Sequence, residues 1–158
     1  MYKCVAIPLD GSIVAEGILP FILEIAGPLD IEVVLVRVMV PVPPSVIEAS
    51  RHVEVEDPEK RRAEAEAYLT PIAAELRTKG IRVRTMVRRG EPAGEILAAA
   101  REAKADLIAM TTHGRSGFGR LLFGSVAEAV LRQSEVPVFL MRQTEAQVGA
   151  RAAWEVLR

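Results

Sequence analysis

The chain has 158 residues, 50% of them hydrophobic, with 20 Lys and Arg against 21 Asp and Glu and a formal net charge of -1. That length carries one domain with a substantial core, and the composition excludes a disordered chain. The charge balance speaks against a general nucleic-acid binder, which would show a strong basic excess, and no apolar run reaches the roughly 18 residues that span a bilayer.

The single cysteine, Cys4, has no intramolecular disulfide partner and lies in an apolar run, so it reads as a small core residue. Its run, Lys3 to Leu9, is nearly continuous in apolar residues, as expected for a strand buried on both faces. It reads as a strand and not as a signal peptide, and the expected location is the cytoplasm. Asp10-Gly11-Ser12 ends the strand, with Ser12 as the N-cap of a helix from Ile13 to Ala26. Pro20 should kink that helix, because it lacks an N–H and clashes with the preceding turn. Gly27-Pro28 stops it, and the β-branched run Ile31 to Val38 predicts the second strand.

Met39 to Asp57 is irregular, with Pro41, Pro43 and Pro44 close together, and His52 within it reads as a surface residue. Asp57-Pro58-Glu59 starts a helix with Pro in its first turn, and Gly80 ends it. Ile81 to Arg88 alternates apolar and basic residues, which predicts a half-exposed edge strand with a solvated arginine face. Gly90-Glu91-Pro92 turns into a helix that continues to about Lys104, followed by a fourth strand from Asp106 to Thr111. After a helix from Val126 to Gln133, Val136 to Met141 is a fifth apolar strand at a sheet edge. Thr144 to Leu157 is compatible with a terminal helix.

Strands and helices thus alternate, and right-handed crossovers give an open parallel five-stranded α/β sheet with helices on both faces. Ligands bind such sheets at the C-terminal strand ends where the strand order reverses, here between the first and fourth strands. Pro8 to Ser12 and Met110 to Ser125 therefore converge on one crevice.

The second of those stretches carries four glycines in eleven positions, Gly114, Gly117, Gly119 and Gly124. Glycines let a backbone turn sharply and approach a ligand closely. Gly124-Ser125 leads into a helix, and Ser125 with Glu128 reads as a capping box. A strand, a glycine-rich loop and a helix start together favour an anion, most often phosphate. Such loops also occur without ligands, and spacing alone leaves both readings open.

These residues resemble the universal stress protein family over roughly Tyr2 to Arg142, with 143–158 as a C-terminal helical tail. The resemblance rests on the Asp10 turn, the Gly90-Glu91-Pro92 turn, the last strand, and a glycine motif. That motif is Gly, two residues, Gly, nine residues, Gly, then Ser or Thr, and it falls on Thr111, Gly114, Gly124 and Ser125. The resemblance implies a Rossmann-like sheet of the adenine nucleotide alpha hydrolase type, in strand order 3-2-1-4-5. It also implies bound ATP or AMP, with or without Mg²⁺, and a homodimer through the fifth strand.

Under the resemblance, Pro8, Leu9 and Asp10 line the adenosine end, with Asp10 reaching a ribose or base group or serving only an Asx turn. Val38 offers backbone groups and an apolar wall to adenine, Met110 is counted among the nucleotide-binding residues, and the Thr111 backbone lies near the ribose or phosphate. Gly114, Arg115, Gly124, Ser125 and Val126 cradle phosphates, with Arg115 either adding charge-assisted bonds or standing in solvent. Thr111 departs from the motif's first glycine and adds a β-branched side chain there. Its hydroxyl either bonds the ligand or turns away, or else its bulk narrows the pocket and blocks ATP.

No nucleophile stands with an oriented base, since Ser116 and Ser125 have one nearby histidine, His113, and no carboxylate near it. His113 also lacks neighbours at metal-ligand spacing. The Walker A lysine motif is absent. A regulatory nucleotide-binding protein with at most slow ATP hydrolysis is therefore expected. A nucleotide-independent dimeric interaction module is the alternative, and an adenylate-handling enzyme is a third reading.

Overall fold

A computed structural model of the chain describes residues 1–43, 57–113 and 124–143. Its elements follow in the order β1 (Cys4–Pro8), α1 (Ile13–Glu16), α2 (Ile18–Ala26), β2 (Glu32–Met39), α3 (Pro58–Thr78), β3 (Val83–Arg89), α4 (Pro92–Glu102), β4 (Leu107–His113), α5 (Ser125–Gln133) and β5 (Val138–Gln143). The strands form one parallel sheet in the order β3-β2-β1-β4-β5. His52 and the expected tail helix lie outside the described residues.

Strand alternation divides the core into two layers. Val5 and Ile7 of β1, and Leu9 just after it, join Val33, Leu35, Leu107 and Ala109 under α2 and α3. Cys4, Ala6, Val34, Val36, Ile108 and Met110 point the other way, under α4 and α5. Cys4 is buried, and loss of solvation is the main cause that raises its thiol pKa. Both sheet faces are covered, which is why β1 and β2 read as nearly continuous apolar runs while the edge strand β3 alternates.

Local chemistry explains most boundaries. Ser12 Oγ accepts from the Ala15 amide at 3.1 Å and caps α1. Asp57 Oδ1 accepts from the Glu59 amide at 3.0 Å ahead of Pro58, and Glu91 accepts from the amides of Ala93 and Gly94 ahead of Pro92. The arginine face of β3 consists of ion pairs, Arg82 with Asp30, Arg84 with Glu32, and Arg88 with Glu95 and Glu102. At such exposure each contributes about 0–1 kcal/mol, so they dress the edge more than they hold it.

Two expectations are corrected. The helix from Ile13 to Ala26 breaks at Gly17 and not at Pro20. Pro20 sits in the first turn of α2, where its missing N–H has no intrahelical acceptor to lose, so the break falls one turn earlier. The last strand starts two residues later than expected and extends to Gln143, because its pairing with β4 runs on to His113.

Gln143, 5% exposed, packs its side chain against Gly17 between α1 and α2. A Cβ at Gly17 would fall on Gln143 Nε2. Gly17→Ala is therefore expected to destabilise the protein by about 1–3 kcal/mol as Gln143 is displaced. A urea midpoint unchanged from wild type would refute that packing.

Candidate functional site

β1 and β4 lie side by side, yet the chain leaves β1 toward α1 and α2 on one face and leads from β4 to α5 on the other. Above their C-terminal ends lies a cleft of about 320 Å³. Pro8, Leu9, Asp10, Val38, Met110, Thr111, Gly124, Ser125 and Val126 all line it. Gly114 and Arg115 lie outside the described residues, as does the side chain of His113. The sequence reading placed Ser12 and Thr112 at this crevice without naming them as site residues, and it missed Val14 and Ala15 of α1, Val36 of β2 and Val40 just beyond it, Pro92 and Ile96 of α4, and Ala127 of α5. Val36 and Val40 share Val38's face by strand alternation and were within reach of that argument. Pro92 and Ile96 were not, because only the crossover path puts the start of α4 over the sheet.

The left wall follows from where β1 ends. Even-numbered residues of β2 turn their backbone groups toward β1, as in Glu32 N–H to the Lys3 carbonyl at 2.9 Å. Odd-numbered ones face β3, as in Val33 N–H to the Arg82 carbonyl at 2.8 Å. The last bond between β1's end and β2 is Leu9 N–H to the Val36 carbonyl, 2.8 Å. The Leu9 carbonyl accepts from Arg37 Nη1 at 3.4 Å and makes no bond to the Val38 amide. Val38 therefore presents an N–H and a C=O past the end of β1, toward the cleft.

Asp10 forms the Asx turn, its Oδ1 accepting from the Ser12 amide at 2.8 Å, and it also lines the cleft. The right wall is the start of α5. Gly124 is its N-cap with no side-chain cap bond, and Ser125 is already its first residue. The expected capping box is thus not formed, because Ser125 lies one position too late to cap. Glu128 pairs with Arg132 at 2.7 Å, and its amide starts the helical ladder on the Gly124 carbonyl. The amides of Ser125, Val126 and Ala127 have no acceptor within the helix. Between the walls, Thr111 Oγ1 donates to the Ala15 carbonyl at 3.0 Å, committing its hydroxyl to α1.

The model of the universal stress protein family matches residues 1–142. The chain belongs to that family. The universal stress protein MJ0531 of Methanocaldococcus jannaschii is 33% identical over 143 residues, covering 90% of this chain and 84% of its own length. The solved structure of MJ0577 from the same organism matches with a TM-score of 0.68 and 28% identity, over 92% of this chain and 99% of that one. A universal stress protein in complex with cAMP matches with a TM-score of 0.67 over 90% of this chain and 98% of that one. At 23% identity that third likeness establishes the shared fold.

In this universal stress protein the cleft walls are mainly valine, with proline, alanine and single leucine, isoleucine and methionine side chains, and polar groups at the turn, at Thr111 and Thr112, and at the helix start. Among the described residues no group of three His, Cys, Asp or Glu side chains is placed to hold a metal. No helix among them is long and apolar enough to cross a membrane. Burial of the Asp10 carboxyl works to raise its pKa, but hydrogen bonds from Ser12 and the charge of Arg37 outweigh it and hold the value below the usual 3.8.

A lowered folded-state value means that the Asp10 charge stabilises the fold above the unfolded carboxylate pKa and stops doing so as pH falls through the folded one. Asn keeps an oxygen for the turn but no charge. Wild type is therefore expected to be more stable than Asp10→Asn at pH 7, with the difference vanishing on acidification below about 3.8. A difference constant from pH 7 to pH 2.5 in urea unfolding would refute this.

Proposed function

We propose that this protein is a regulatory adenine-nucleotide-binding member of the universal stress protein family, holding ATP or AMP in the β1–β4 cleft. The observation that carries the reading is that three kinds of recognition group meet there. An open backbone edge at Val38, the Asp10 carboxylate and the free amides at the start of α5 all border one apolar cleft. An N–H beside a C=O matches the acceptor and donor on the Watson–Crick edge of adenine. Valine and isoleucine walls suit the ring faces, Asp10 suits a ribose hydroxyl, and a helix start suits phosphate. Gly114 and Arg115 would complete the phosphate end, and a Mg²⁺ would arrive with the phosphates, since no metal cluster stands ready among the described residues.

The Thr111 hydroxyl is bound to the Ala15 carbonyl, which draws the side chain toward α1 while it still lines the cleft. That favours nucleotide binding over the interaction module in which Thr111 blocks the site. No chemistry beyond slow hydrolysis is assigned to the cleft, and bound nucleotide would act by changing the contacts that the cleft walls and the dimer make. Action as a cytoplasmic homodimer is part of the proposal. β5 is an edge strand, and its even-numbered backbone groups point away from β4, available to a second copy.

Calorimetric titration with ATP and AMP, with and without Mg²⁺, is expected to show saturable binding. Val126→Glu, which sets a negative charge at the start of α5, should weaken it by roughly tenfold or more, about 1.4 kcal/mol. Absence of saturable binding at millimolar nucleotide overturns the proposal. For the dimer, sedimentation should give twice the chain mass. Arg142→Pro removes an N–H that β4 does not use and should shift the protein toward monomer; a monomeric wild type rejects this part.

A further inference from the structure

The polar contacts behind the left wall involve a residue that does not line the cleft. We propose that Arg37 is a positioning residue for the base: it draws the Leu9 carbonyl away from β2 and so keeps the Val38 backbone free. The inference rests on the nucleotide reading for its function but not for its geometry.

In a regular parallel ladder, Leu9 would donate to the Val36 carbonyl and its own carbonyl would then accept from the Val38 amide. The first of these bonds is present at 2.8 Å, and the second is replaced by Arg37 Nη1 at 3.4 Å. The chain thus leaves β2 one bond early, and a side chain takes the vacated acceptor. Arg37 is well placed to do this because its neighbour in sequence, Val38, faces the opposite side of the sheet. The guanidinium lies on the face that carries Leu9 and α3, directly under the turn.

The guanidinium is held from two further sides. Its Cζ stands 5.4 Å from the centroid of the Tyr68 ring in α3, within cation–π range. Tyr68 is itself fixed, its hydroxyl donating to Glu16 Oε1 of α1 at 2.8 Å. On the other side lies Gly11, whose φ of +88° suits glycine and whose missing Cβ would stand 3.3 Å from both Nη atoms. A planar cation that lies over a ring, donates to a carbonyl and fits beneath a glycine turn is a role for arginine; lysine supplies the charge alone. Without that group, the donor that a regular parallel ladder assigns to the Leu9 carbonyl is the Val38 amide. Forming that bond would extend β1 by a residue and consume the donor that the base would use.

The test compares wild type, Arg37→Leu and Arg37→Lys with three ligands: AMP, ATP and inorganic tripolyphosphate. Arg37→Leu is expected to lose roughly tenfold in affinity for AMP and ATP while tripolyphosphate, which has no base, binds as before. Arg37→Lys should recover part of the loss. Equal losses for all three ligands, or no loss for AMP and ATP, overturn the proposal. A second measurement needs no nucleotide. Amide hydrogen exchange at Val38 should become several-fold slower in Arg37→Leu, since the Leu9 carbonyl then protects it. Unchanged or faster exchange also overturns the proposal. If wild type binds neither nucleotide, the nucleotide reading fails, and the Val38 exchange rate alone decides the role of Arg37. Should Arg37→Leu not fold, Arg37→Gln takes its place in both measurements.

Discussion

Two adjacent parallel strands whose following helices lie on opposite faces cannot keep their ends closed. That constraint, at β1 and β4, generates the cleft, and the rest of the molecule sets its dimensions. A continuous sheet satisfies every backbone group with its neighbour. Here β1 stops while β2 and β4 run on, so backbone groups that would be paired in a longer strand are turned toward a cavity. The site needs few special side chains for this reason. The polar groups that border the cleft are largely main-chain amides and carbonyls, placed by strand length and by the first turn of α5.

Such a site requires its walls to be held from behind. α1 has only four residues and fully buries none of its own side chains, with Ala15 packed against the core from a half-buried position. It is also held by polar contacts: Thr111 reaches the Ala15 carbonyl, Tyr68 reaches Glu16, and Ser12 caps its first turn. Gln143 from the edge strand fills the space left by Gly17 at its end. Earlier in the same strand, Phe139 stacks on Phe21 of α2 at a centroid distance of 4.7 Å. The short helix that lines the cleft is therefore tied to β4, β5 and α3 together. A shift of the edge strand would be felt at the cleft through Gln143 and Gly17 without any direct contact to a ligand.

Much of this was legible in the chain. The run from Cys4 to Pro8, the caps at Ser12 and Asp57, and the stop at Gly80 all follow from residues within one turn of the boundary. The misreadings came where a local rule had two ways of being satisfied. Pro20 disrupts a helix when interior and is harmless in a first turn; breaking the chain at Gly17 turned the first case into the second. Ser125 with Glu128 fits a capping box in spacing, but Gly124 holds the cap position and Ser125 is left within the helix.

The sequence by itself determined the element types, their order, and the two segments that meet at the cleft, because hydrophobic period and capping chemistry act over a few residues. Only the tertiary structure decided which groups at that meeting point are free and which are spent. Asp10 both turns the chain and borders the cleft, Thr111 gives its hydroxyl to α1, and Arg37 takes the Leu9 carbonyl that Val38 would otherwise bind. Each of those outcomes depends on where one strand ends relative to its neighbour. Strand register is a property of the assembled sheet, and no single segment contains it.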